Sequence, residues 1–239
     1  MDLARPTYGA EFVEDAKSFL GILVVLAPAP FFWTLFDQSA SKWVEQASEM
    51  DRQVGSLYIP PDLMQVCNSL FILLLIPTFE KGLYPLLRRC FPLRPLQRMG
   101  IGLVLTVLSF VIAGLLQIWI NMGTFEADPS DPDCVQCCVS GCVSIMLQVP
   151  QYLVLTAGEV MFSITGLEFA YSQAPPSLKS VCSAVWLLTV AAGNVVTIII
   201  SGSQLFDDRA MEFFFYAGLL LGVTVIFFFL AWRYKYTNR

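Results

Sequence analysis

The stretch GEVMFSITGLEFAYSQAPPSLKSVCSAVWLLTVAAGN, Gly158 to Asn194, decides the fold. It places a carboxylate, Glu159, within an apolar run long enough to be a membrane span. An ionisable group at that depth costs about 2.5–3.5 kcal/mol on insertion scales unless it faces a cavity or a partner. A carboxylate kept there points to a solute, ion or proton route. Glu168 follows in the same run, and at about 100° per residue of α-helix the two acids fall on opposite faces. The sequence therefore predicts separate roles, with Glu159 facing a cavity and Glu168 solvated near a span end.

The rest of the chain agrees that the setting is a membrane. Hydrophobic residues make up 56% of 239 and charged ones only 14%, against roughly 25% charged in soluble domains. The net charge of −5 is spread through loops and singles out no partner, nucleic acid included. There is no histidine, which removes the commonest proton shuttle, nucleophile-activating base and zinc ligand together. No G-x-S-x-G, Walker or G-x-G-x-x-G pattern occurs, so hydrolase, ATP-driven and dinucleotide chemistry lack support, and the reading is against an enzyme. The start, MDLARPTYGAEFVEDAK, has no apolar core after a basic region and does not read as a signal peptide, so the first span is expected to act as the anchor.

Six apolar segments reach the roughly 20 residues that a helical crossing needs. They run Phe19–Ser39, Leu63–Tyr84, Met99–Met122, Cys142–Tyr171, Ser180–Ser201 and Met211–Trp232. The expected fold is an all-α, six-helix polytopic bundle over 19–232, with residues 1–18 and 233–239 outside the bilayer. Pro28, Pro30, Pro77 and Pro150 lie inside these segments and mark candidate kinks. With the N-terminus placed in the cytoplasm, the inner segments hold eleven of the fourteen basic residues. The outer ones hold Lys42, Arg52 and Arg209. That bias predicts both termini inside and the acidic loop from Gly123 to Gly141 outside. In that loop Cys134, Cys137, Cys138 and Cys142 have the close spacing of a metal knuckle, but an outward position favours one or two disulfides of open connectivity. Free thiols at the top of a span are the alternative.

The chemistry that these residues suggest is recognition of a zwitterion. An anion for an ammonium group comes from Glu159 and a donor for a carbonyl from Asn68. Trp33 and Trp186 supply aromatic walls tolerant of varied side chains. Trp33 and Asp37 are four residues apart and share one helix face. As arbitrary deep tryptophans, Trp33 and Trp186 equally suit packing.

Three motifs then carry a resemblance. FFWTLFDQSASKW (Phe31–Trp43), QVCNSLFILLLIPTFEKGLYP (Gln65–Pro85) and GEVMFSITGLEFAYSQAP (Gly158–Pro175) resemble the proton-coupled oligopeptide transporters, animal-type members above all. The likeness runs from about Phe12 to Tyr236 and covers the C-terminal half, helices seven to twelve, of a twelve-helix major-facilitator fold. It implies uptake of di- and tripeptides by alternating access, with a proton as coupling ion and no other cofactor. Glu159 would bind the peptide amino group, with Trp33, Trp186 and Asn68 completing the pocket. Asp37 would take part in gating and coupling. Glu80 matches an acid that pairs with an arginine on helix seven. Gly21 stands at that arginine's position, so Lys17, one turn earlier, is the expected substitute.

Two departures accompany the likeness. The family's N-terminal half, with its E-x-x-E-R motif and a lysine on helix four, has no counterpart. The Gly123–Gly141 loop is far shorter than the extracellular domain of animal members. The expected partners are small peptides, the lipid bilayer, and an N-terminal six-helix half or a second copy. The expected location is a multi-pass position in the plasma membrane. A carrier of nitrate or an amino acid, and a non-transporting regulator of a full-length paralogue, remain the rival readings.

Overall fold

The computed structural model describes residues 9–86, 94–126, 137–140, 142–202, 206, 208–234 and 236. Six helical segments in it are long and apolar enough to cross a membrane: Glu11–Ser48, Pro61–Leu86, Pro95–Ile120, Ile145–Gln173, Pro176–Ile200 and Arg209–Arg233. They are called the first to sixth spans below.

The first span is broken into α1 (Ala10–Leu26), α2 (Ala29–Gln38) and α3 (Lys42–Ser48). Helix α1 starts well ahead of the expected Phe19, because the Glu- and Lys-containing turns before it form helix readily although they are not apolar. Pro28 and Pro30 explain the first break. Neither has an N–H to donate, and α2 restarts with Pro30 in its first turn, where no intrahelical donor is needed.

The second span is α4 (Gln65–Thr78), which holds Pro77 and runs into a π-turn over Phe79–Leu83. The third is the unbroken α5 (Pro95–Ile120). The fourth is α6 (Val149–Glu159), a second π-turn over Val160–Ile164, and α7 (Thr165–Gln173). Pro150 lies in the first turn of α6 and does not kink the span. The irregularity sits at the π-turn, which contains no proline. The fifth and sixth spans are α8 (Lys179–Gly202) and α9 (Arg209–Arg233).

That second π-turn corrects the helical-wheel argument. A π-bulge inserts one residue into the i to i+4 ladder, which rotates everything downstream by about 100°. Glu159 precedes the π-turn and Glu168 follows it. Their separation is therefore about 80° and not the half-turn expected of a regular helix.

The third span packs along the sixth and the fourth, the first along the fifth, and the second along the fourth. Close approach of the third and fourth spans rests on Gly102 and Gly158. A Cβ on Gly102 would lie 2.7 Å from the Gly158 carbonyl oxygen, and one on Gly158 would lie 2.8 Å from the Gly102 carbonyl oxygen. Such backbone proximity is how membrane helices gain packing without a hydrophobic drive between them. Of the apolar stretches, 56% of the third and of the fourth spans is buried, but only 11% of the second and 17% of the fifth. The second and fifth thus turn most of their apolar surface outward.

One end of the bundle is tied by amides. Gln46, Gln117, Gln148 and Gln151 are fully buried or nearly so. Gln46 Nε2 donates to the Ala113 carbonyl and to Gln117 Oε1, both at 3.0 Å. Gln148 and Gln151 each donate to Gln46 Oε1 at 3.1 Å. Gln117 in turn donates to Glu49 at 2.8 Å, and Arg209 pairs with Glu49 at 2.6 Å. The network joins the first, third, fourth and sixth spans at this end.

Two short antiparallel hairpins add β-structure that the sequence did not suggest. They are β1 (Gln53–Val54) with β2 (Leu57–Tyr58), and β3 (Thr124–Glu126) with β4 (Cys137–Ser140). Gly55, at φ 66°, takes the left-handed conformation that the first turn requires.

Candidate functional site

Glu159 is the last residue of α6, at the entry to the π-turn, and is half-buried. Asn68, on α4, donates from Nδ2 to Glu159 Oε2 at 3.1 Å. The two residues singled out for an ammonium and a carbonyl are thus brought together from the second and fourth spans. A carboxylate has about four lone-pair sites, so Glu159 keeps acceptor capacity beyond this bond. The close approach at Gly158 fixes the backbone next to it.

The aromatic residues form a chain across the first, fourth and fifth spans. Trp33 and Trp186 meet edge to face at 6.2 Å, Phe162 lies 5.8 Å from Trp186, and Phe32 stacks on Phe162 at 4.2 Å. Their exposures differ. Trp186 is 4% exposed, its ring pressed against Gly166, where any Cβ would overlap it. Trp33 is half-buried, and its indole N–H is buried without an acceptor among the described residues. The Trp33 N–H is thus a spare donor closed off in this conformation, and Trp186 is packed beside it.

Asp37, one turn on from Trp33, is held from the fifth span. With its amide nitrogen turned to the carboxylate, Asn194 donates to Asp37 Oδ2 at 2.6 Å and to the Val190 carbonyl at 3.1 Å. Thr34 and Thr197 tie the same helices, Thr34 donating to the Gly193 carbonyl at 3.1 Å and Thr197 to the Thr34 carbonyl at 3.4 Å.

Lys17 and Glu80 line different cavities. Lys17 borders a groove between the first and sixth spans with Arg233 and Tyr234. Glu80 borders a cavity of about 250 Å³ together with Arg98, Glu168 and Tyr84. There Arg98 lies 4.4 Å over the Tyr84 ring. Arg98, from the third span, lines the same cavity as Glu80. Glu168 is exposed, as the sequence suggests, and also lines that cavity.

Cys142 is disulfide-bonded. Cys134 and the side chains of Cys137 and Cys138 lie outside the described residues. Among the described residues, no group of three or more His, Cys, Asp or Glu could hold a metal.

Sequence reasoning missed Asn194, Arg98 and the glutamine network. The signal was present. Amide side chains within apolar spans must find partners, because the bilayer offers no water.

Comparison with known proteins gives a consistent picture. The chain is 26% identical to Peptide transporter 3 of Caenorhabditis elegans, with all of this chain and 60% of that protein in the match. It is 25% identical to Solute carrier family 15 member 1 of Homo sapiens, covering all of this chain and 58% of that one. The crystal structure of the POT family transporter PepTSo superposes with a TM-score of 0.81 at 34% identity, over 95% of this chain and 44% of that one. An auto-inhibited POT family peptide transporter superposes at 0.82 with 31% identity, over 99% and 45%. The chain thus spans about 60% of the curated relatives and less than half of the solved transporters. It is a multi-pass, predominantly helical membrane protein with the architecture of those transporters' C-terminal half. Residues 2–210 match the POT family profile, and the chain belongs to that family.

Proposed function

We propose that this chain is the C-terminal half of a proton-coupled transporter of di- and tripeptides, working by alternating access with an N-terminal six-helix half. The observation that carries this reading is the Asn68–Glu159 hydrogen bond, a half-buried carboxylate held by a neutral donor between two spans. An ammonium can take the remaining lone pairs of Glu159 while Asn68 keeps it oriented. The buried Trp33 N–H, which has no acceptor among the described residues, is a donor that a peptide carbonyl or carboxylate would meet once the site changes conformation. Asp37, held by Asn194, is the residue we assign to gating and proton coupling. The exposed faces of the second and fifth spans are the surfaces on which the other half would close. We further assign both termini to the cytoplasm, the cysteine-bearing loop to the outside and the protein to the plasma membrane.

The test is co-reconstitution of the chain with the N-terminal half of a POT transporter, followed by uptake of a labelled dipeptide under an inward proton gradient. Uptake is expected for the pair. Glu159→Gln should reduce it at least tenfold while leaving expression and helicity unchanged, since a neutral amide costs less to bury. Normal uptake in that variant would overturn the assignment. Association without uptake in any pairing would favour a regulator of a full-length paralogue.

A further inference from the structure

We infer that the cavity at the Pro85 end of the second span is a second binding site, taking a small zwitterion whose carboxylate meets Arg98 and whose ammonium meets Glu80 and Glu168. It is separate from the Asn68–Glu159 pair, and it rests on the transport reading only in that the same class of solute would reach it. Its volume of about 250 Å³ has room for a free amino acid or a dipeptide of small residues.

The local backbone builds the site. The second and fourth spans both change to a π-turn here, over Phe79–Leu83 and Val160–Ile164, and both turns give residues to the cavity wall. Such turns recur at functional sites, and the extra residue re-aims the side chains that follow. Glu80 lies in the first turn, and Glu168 follows the second by one helical turn. Arg98 comes from the first turn of α5, and Phe79, Val160 and Ile164 supply apolar wall.

The charges line one space without pairing across it. Among the described residues, neither Arg98 nor the two carboxylates enter an ion pair. The Arg98 Cζ lies 4.4 Å over the Tyr84 ring, a contact that holds the cation without using its N–H groups. Nε is closed off, so Nη1 and Nη2 are the donors that reach the cavity. Glu80 and Glu168 are exposed at its rim. The opposite end of the bundle differs, for there Lys42 pairs with Glu45 and Glu212, and Arg209 with Glu45 and Glu49. Cations answered by carboxylates hold a bundle together. A cation and carboxylates set apart around a partly apolar cavity complement a molecule that carries both charges.

Equilibrium dialysis of labelled Ala-Ala against the full chain in phosphatidylcholine nanodiscs tests the site, in the Glu159→Gln background that removes the anion beside Asn68. Ala-Ala should still bind there. N-acetyl-Ala-Ala and Ala-Ala amide, each lacking one charge, should bind about tenfold more weakly, and they probe the charges with the cavity intact. Arg98→Gln and the Glu80→Gln/Glu168→Gln pair should each lower Ala-Ala affinity about tenfold, while Arg98→Lys should keep most of it. Competition by unlabelled alanine shows whether a free amino acid fills the site as well as a dipeptide does, and either filling supports it. No binding in the Glu159→Gln background would overturn the proposal and leave the Glu159 assignment standing. So would binding indifferent to Arg98 or to the charges of the probe. Arg98-dependent binding without uptake in any reassembled pairing would instead sink the transport reading and leave this site in place.

Discussion

Glu159 can sit in a span because one residue on a neighbouring helix meets it. If the Asn68 bond orients the carboxylate, Asn68→Ala and Glu159→Gln should not be additive. Their double-mutant cycle in denaturation should show coupling of about 0.5–3 kcal/mol, and strict additivity would deny the contact. Trp33→Phe separates the ring from its N–H. The aromatic chain to Trp186 should persist and stability should change little, while peptide affinity in the reassembled transporter should fall several-fold. Unchanged affinity would make Trp33 a packing residue only. For Lys17 and Glu80, placed in separate cavities, Lys17→Ala and Glu80→Ala should add within about 0.5 kcal/mol. Coupling above that would restore the pair expected from the sequence.

At the scale of elements, the six spans were legible because each must supply about 20 apolar residues, a demand that hydropathy reads directly. The residues of the site were legible for a related reason, since polar groups inside apolar runs stand out. What was not legible is phase. The π-turn over Val160–Ile164 has no proline or other marker in the sequence, yet it turns Glu168 into the cavity of Glu80 and Arg98. Pro150, which looked like the cause of a kink, occupies a tolerated position. Pairing across spans was equally hidden, because composition does not say which amide meets which. The Gly102–Gly158 approach gives the sharpest test at this scale. Gly102→Leu inserts bulk against backbone atoms of the fourth span and should destabilise by about 1–3 kcal/mol, read as a lowered melting temperature. Gly218→Leu, at a glycine with open space, should be nearly neutral.

Across the whole molecule, the least buried spans define where something else must sit. Leu73 and Ile198, each 71% exposed, mark the outward faces of the second and fifth. Leu73→Cys and Ile198→Cys should cross-link to an N-terminal half in the reassembled transporter. Both remaining free would show that these faces meet only lipid. The assigned orientation has its own check. Ser56→Cys, in the exposed first hairpin, should react with an impermeant maleimide on intact cells, and Ser180→Cys only after permeabilisation.

The glutamine network has a consequence for synthesis. Gln46 is translated with the first span, but its partners arrive with the third, at Ala113 and Gln117, and the fourth, at Gln148 and Gln151. Until then its amide stands unanswered in a helix destined for hydrocarbon. Packing at this end of the bundle is therefore complete only once the fourth span has been made, and the first, third and fourth spans depend on one another there rather than standing as independent pieces.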